Sequence, residues 1–244
     1  FNGAATDTGG EDAANSTIVK IQGGKVLQLT GSGDLGLMQI QGNDAAEGKV
    51  LVSAARSITG TIGANNAIAE LELDATLTVS TGAVVVTDLD MNAGSLRGTS
   101  GSITVNGTTT VDGDVALTSA GAIGLGGAVT LNKDITITSG NNADQTFGGT
   151  IRGDGGDDNN LTIVLQGSGE ANINGIVGAG GADNDIGAID ITGILDLNED
   201  IGTTGVRGAA SLAVSGVSNL GGDVNTTGTQ TYTSGVTLSG GARI

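Results

Sequence analysis

The chain has 244 residues, with 26 acidic against 9 scattered basic residues and a formal net charge of −17, a balance that argues against nucleic acid and anionic lipid as partners. It holds 46 Gly and no Pro, Cys, His or Trp, and Phe1, Phe147 and Tyr232 are its only aromatic residues. A disulfide framework and a thiolate site are excluded, and the core must be aliphatic.

The lead Phe1–Asn15, rich in Gly, Ala and Asp, reads as irregular. The first clear strand is "STIVKIQ", Ser16–Gln22. No apolar run approaches the about 20 residues of a membrane span, and no charged-then-apolar signal peptide opens the chain. A start at Phe1 rather than Met is expected of a processed product or a piece of something longer. "AAEGKVLVSAAR", Ala45–Arg56, has some helical propensity, but Gly48 and the alternation of Val50 with Val52 favour a strand. Further on, apolar pairs at alternate positions recur, as in Ile103/Val105, Val129/Leu131 and Ile135/Ile137. They are separated by Gly, Asn, Asp and Ser, so the chain reads as all-β.

The segments "DGDVALTSAG" (Asp112–Gly121), "LNKDITITSG" (Leu131–Gly140), "LNEDIGTTG" (Leu197–Gly205) and "LGGDVNTTG" (Leu220–Gly228) resemble one another. Their aligned acids, Asp114, Asp134, Asp200 and Asp223, stand 20, 66 and 23 residues apart, and 66 is three periods of 22. Gln-Thr-aromatic also occurs twice, ending at Phe147 and Tyr232, 85 residues apart or about four periods. Self-similarity at this spacing marks a solenoid whose units cannot fold alone. The leucine-rich frame, the strict hexapeptide rhythm and the tandem calcium-binding nonapeptides are all missing. What remains is a parallel β-helix of about eleven coils with about 22 residues and two or three strands each, about 50 Å long. One such domain spans residues 1–244, with 1–15 as lead and 16–244 as coils. In this fold, residues one period apart stack in ladders. Phe147 and Tyr232 are therefore expected in one column four coils apart, and the aligned Asp residues at one repeating corner.

The phrases "SLAVSGVSNLGGDV" and "TQTYTSGVTLSGG", within Leu195–Gly241, resemble the repeat regions of large secreted bacterial proteins of the filamentous haemagglutinin and autotransporter-passenger type. The likeness is good over about residues 101–244 and general before that. It implies a right-handed β-helix, export to the bacterial cell surface or beyond, and a role in adhesion or extracellular structure, with a host or neighbouring cell as a partner.

Candidate sites are few. "GDGGDDNN", Gly153–Asn160, gathers Asp154, Asp157 and Asp158, hard oxygen ligands that suit Ca2+, although the spacing departs from dedicated calcium loops. "DND" at Asp183–Asp185 and "DGD" at Asp112–Asp114 have the alternation without flanking ligands. Arg152-Gly153-Asp154 matches a cell-attachment tripeptide but reads as a solvated loop in a chain this rich in Gly and Asp. The pairs Glu70/Glu72 and Asp88/Asp90 would serve a carbohydrate-active enzyme, a lyase or glycoside hydrolase, on the same fold. Such clefts also use basic groups and aromatic platforms, which this composition hardly offers, so a non-catalytic role is expected. Neither end looks capped by a polar unit, and "TYTSGVTLSGGARI" keeps strand rhythm to Ile244. Head-to-tail joining to another copy, or to further coils of a longer chain, is expected, with Phe1 and Ile244 at the contact.

Overall fold

The computed structural model describes residues 6–7, 17–154, 159–178, 185–203, 206 and 208–244. They form 26 short strands in one continuous sheet and no helix. The sheet winds into a parallel β-solenoid of about 10 turns with about 21 residues per turn. Ala45–Arg56 is extended as expected, with strands at Glu47–Val52 and Arg56–Ile62.

Each turn contributes to three faces. On the first, Leu77, Leu96, Leu117, Ile137, Ile163, Ile191, Val214 and Tyr232 lie on successive rungs. The second runs from Val19 through Ile40, Ile62 and Val84 to Val236. The third runs from Leu27 through Val50, Leu71 and Leu89 to Ile151, then thins to single bridges at Val177, Ile201 and Val224. The pleat puts alternate residues inside, so Ile135 and Ile137 are buried while Thr136 and Thr138 face out. Three aliphatic ladders thereby meet along the axis, each fully buried side chain contributing about 1.5–3 kcal/mol.

The same geometry moves two expected alignments. Phe147 sits on the second face between Leu125 and Ile173, whereas Tyr232 sits on the first face beside Val214, so they do not share a column. The Gln-Thr-aromatic phrase is one local device used on different faces. In both copies the Gln side chain crosses the interior to the face before it in the chain. Gln145 Nε2 donates to the carbonyls of Ile137 (3.2 Å) and Val164 (3.1 Å), and Gln230 Nε2 to that of Val224 (3.0 Å). The aligned acids likewise occupy two corners. Asp114 and Asp134 precede the first face, whereas Asp200 and Asp223 precede the third. Three similar faces per turn let a phrase return after a fractional number of turns, which a period read from sequence cannot distinguish from a whole number.

At both corners the acid still serves as the repeating acceptor, for the turn above. Asp134 Oδ1 accepts from the Asn160 N–H at 2.7 Å, and Asn160 Oδ1 from the Ala188 N–H at 2.8 Å. Asp200 Oδ1 accepts from the Asp223 N–H at 2.7 Å, and Asp223 Oδ1 from the Arg243 N–H at 2.9 Å. The Arg243 guanidinium beside Asp223 also holds that carboxyl below its usual range.

The glycines explain themselves by contact between turns. Gly107, Gly127, Gly149 and Gly175 stack at the corner after the second face. A Cβ on Gly127, Gly149 or Gly175 would lie 2.3, 2.3 and 2.0 Å from backbone atoms of the glycine one turn earlier. None of the four has positive φ, so close approach, rather than an unusual turn, requires glycine here.

The two ends differ. In the last turn the inward residues Val236 and Leu238 are 37% and 49% exposed, whereas Ser218 and Leu220 one turn earlier are 0% exposed. Ile244 is exposed as well. In the first turn Val19, Ile21, Leu27 and Leu29 are all buried. Within the lead expected to be irregular, Thr6–Asp7 forms a short strand antiparallel to Thr17–Ile21, opposite Lys20 and Val19. It occupies the second-face edge at that end. Phe1 lies outside the described residues.

Candidate acidic site on the third face

Register decides which carboxylates meet. Lys49, Glu70 and Asp88 lie on successive rungs of the third face, as do Leu51, Glu72 and Asp90. The two carboxylate pairs singled out in the sequence thus become neighbours on adjacent strands. Their partner was not singled out: Lys49 Nζ bonds Glu70 Oε1 at 2.8 Å and also pairs with Glu72. The signal for it lay in the period, since Lys49 stands 21 residues, one turn, before Glu70.

Carboxylate oxygens of Glu70, Glu72 and Asp90 come within 4.8 Å of one another. Their surroundings divide their tasks. Glu72 Oε1 accepts from Asn92 Nδ2 at 3.1 Å in addition to its ion pair. Asp88 is turned to the corner, where its Oδ1 accepts from the N–H and hydroxyl of Thr108 at 2.7 and 2.8 Å. Asp90 keeps one oxygen, Oδ1, out of water without a hydrogen bond among the described residues. Burial raises the Asp90 carboxyl above its ordinary range, and the like charges of Asp112, Glu72 and Glu70 add to the rise while Lys49 opposes it. Lys49 is held protonated, its ammonium raised above the usual lysine range by its bonds to Glu70 and Glu72.

Chemically, three converging oxygens are a hard donor set of the kind Ca2+ or Mg2+ takes, with Lys49 as the cation that now balances them. A carboxyl with raised pKa beside two other carboxyl groups is also the arrangement of an acid paired with a base. Around Asp90 the stability linkage has a definite sign. Its folded pKa lies above the unfolded value of 3.8, so the neutral form is favoured by folding and the contribution is lost as pH rises through the folded pKa. Asp90→Asn is therefore expected to raise the melting temperature at pH 7 by about 1–3 °C, a partly exposed cluster being worth at most about 1 kcal/mol. The gain should close as pH falls towards 3.8. Melting curves across that range check it, and a variant that melts lower than the parent at pH 7 contradicts it.

The calcium loop expected at Gly153–Asn160 is a separate place. Asp157 and Asp158 lie outside the described residues, as do Asp183 and Asn184. Asp154 follows the strand Ile151–Gly153, and its Oδ1 accepts from Asn159 Nδ2 at 3.0 Å, whose amide also donates to the Leu131 carbonyl at 2.8 Å. Rungs bearing Thr110 and Thr130 separate this strand from Asp90. Arg152 points outward and bonds Thr130 Oγ1 at 3.2 Å. Asp112 accepts from Asn132 and Asp114 from the Asp134 N–H, so the "DGD" carboxylates serve the corners.

No protein-family model matches the chain, and no curated protein and no solved structure matches it either.

Proposed function

We propose that this chain is a non-catalytic structural and adhesive element of a bacterial cell surface, joined coil on coil into a fibre. The observation that carries the reading is the open last turn, where Val236 and Leu238 continue the second-face ladder yet stand in solvent. An apolar rung with an unpaired strand edge is completed by a further coil, from the same polypeptide or from another copy. At the opposite end, Val26–Leu29 pairs on one side only among the described residues and offers the third-face edge for such joining. The resemblance of Leu195–Gly241 to secreted haemagglutinin-type repeats supports the same reading and the extracellular location. Sedimentation velocity and electron microscopy of the purified chain test it. Rods that lengthen with concentration are expected, and Leu238→Lys should abolish them without lowering the melting temperature, because that side chain is already half exposed. A parent chain that stays monomeric at high concentration overturns joining between copies.

A second reading has one observation in its favour, the meeting of Glu70, Glu72 and Asp90 beside Lys49 on one face. It makes the protein a carbohydrate-active enzyme with Asp90 as the acid. New reducing ends released from a polysaccharide panel, and lost in Asp90→Asn, would establish it.

A further inference from the structure

Away from the acidic face, a groove of about 400 Å³ runs along the end of the first face. Its wall is built by register. Arg97, Thr118 and Thr138 stand on successive rungs, all pointing outward. The groove's far side is raised by an irregularity. Between Ser139 and Asn141 the pairing with Leu161–Gln166 shifts by one residue, and Asn142 adopts a φ of 58°. This extra residue interrupts the ladder, and Gln166, paired with Asn141, joins the lining. Thr99 and Gly140 are also among the lining residues. Three strand spacings separate the Arg97 rung from that of Gln166, a span of about 14 Å.

In a chain with 26 acidic residues, no carboxylate lines the groove, and Arg97 is its only charge. The guanidinium of Arg97 pairs with no carboxylate among the described residues, in contrast to Lys49 and Arg243. The hydroxyls of Thr118 and Thr138 and the amide of Gln166 also stand without partners among the described residues. A ligand that satisfies this row needs one anionic group for Arg97 and a succession of hydroxyls spaced about one rung apart. An extended peptide does not meet that need. It gains affinity from main-chain bonds to an open strand edge, and every strand under the groove is paired on both sides. A linear pyranose chain carries hydroxyls on every unit and advances by a length close to one rung. Its carboxylated form also supplies the anion for a bidentate, charge-assisted bond to arginine.

We propose that this groove binds a short, linear, carboxylate-bearing oligosaccharide, with a uronate on Arg97 and hydroxyls on Thr118, Thr138 and Gln166. The inference deepens the adhesive part of the function proposed above and does not rest on fibre formation. Calorimetric titration of the full chain with trigalacturonate, and with cellotriose as a neutral chain of equal length, tests it. Trigalacturonate is expected to bind, and Arg97→Gln to weaken it by about tenfold or more, the loss of one charge-assisted contact. Cellotriose should bind no better to the parent than to Arg97→Gln. Because Arg97 is exposed, the variant should melt with the parent, which separates lost binding from lost fold. Thr138→Val should weaken both saccharides to a similar extent. Absence of heat with trigalacturonate at millimolar concentration, or equal affinity of parent and Arg97→Gln, overturns the proposal. Sedimentation of Arg97→Gln reports on the fibre separately, so either reading can fail while the other stands.

Discussion

Ile137→Asp is expected to unfold several turns of the solenoid, at a cost of about 5 kcal/mol or more. Ile137 is 0% exposed and lies between Leu117 and Ile163 on the first-face ladder. Truncating a buried Ile costs about 2–5 kcal/mol through lost transfer energy and the cavity left behind. The carboxylate then adds the penalty of a buried charge with no cation within the ladder. A solenoid is stabilised by contacts between neighbouring turns, so a broken rung weakens both interfaces it belongs to. Thr136→Asp on the same strand is the control. Its side chain faces outward, and the change should stay within about 0.5 kcal/mol. Denaturant or thermal unfolding of the two variants compares them directly, and equal stability would mean that the inward face has been assigned the wrong way round.

Gly149→Ala should cost about 1–3 kcal/mol although it adds one methyl group. That methyl would sit 2.3 Å from the Gly127 carbonyl carbon and 2.4 Å from its oxygen, atoms held by the main-chain ladder and unable to step aside. The turns would have to separate locally, lengthening hydrogen bonds such as Gly148 N–H to Leu125 O, now 2.8 Å. Gly124→Ala provides the opposite expectation. Nothing lies within 4 Å of its Cβ position and its φ is not positive, so the lost chain entropy of the unfolded state should leave this variant as stable as the parent or slightly more so. Comparing the two melting curves checks the argument, and a Gly149→Ala protein as stable as Gly124→Ala refutes the steric account of the glycine column.

How much of this could be read from the chain follows from which quantity each element depends on. The inward set at Ile135/Ile137 and Ile103/Val105 was legible because the pleat has a period of two and the apolar residues keep it. The turn length was legible because stacked rungs must recur at a nearly constant spacing. Phase was less legible. Phe147 and Tyr232, and Asp134 and Asp200, belong to faces that resemble one another, so their spacing fits whole turns only by coincidence. Longer turns add to the ambiguity, since Leu117 and Ile137 are 20 residues apart while Ile163 and Ile191 are 28 apart. At the acidic site, Glu70/Glu72 and Asp88/Asp90 were visible as alternating pairs. Their convergence and the part of Lys49 depend on lateral register, which pairs within a strand do not encode. The groove was invisible for a related reason. Arg97, Thr118, Thr138 and Gln166 carry no motif, and only stacking and the irregularity at Asn141 make them neighbours.

The unequal turns also show where this scaffold tolerates foreign sequence. Between Ile137 and Ile163, and again between Ile163 and Ile191, most of the surplus over a 20-residue turn falls at one corner, after the third face and before the first, with a smaller part after the first face, and the rungs on either side stay in register. Strand pairing sets the pitch of the rod, while that corner sets only how much chain separates the third face from the first. A guest loop grafted there would be displayed at a fixed height along the axis, and loops placed in successive turns would form a column of epitopes about one strand spacing apart.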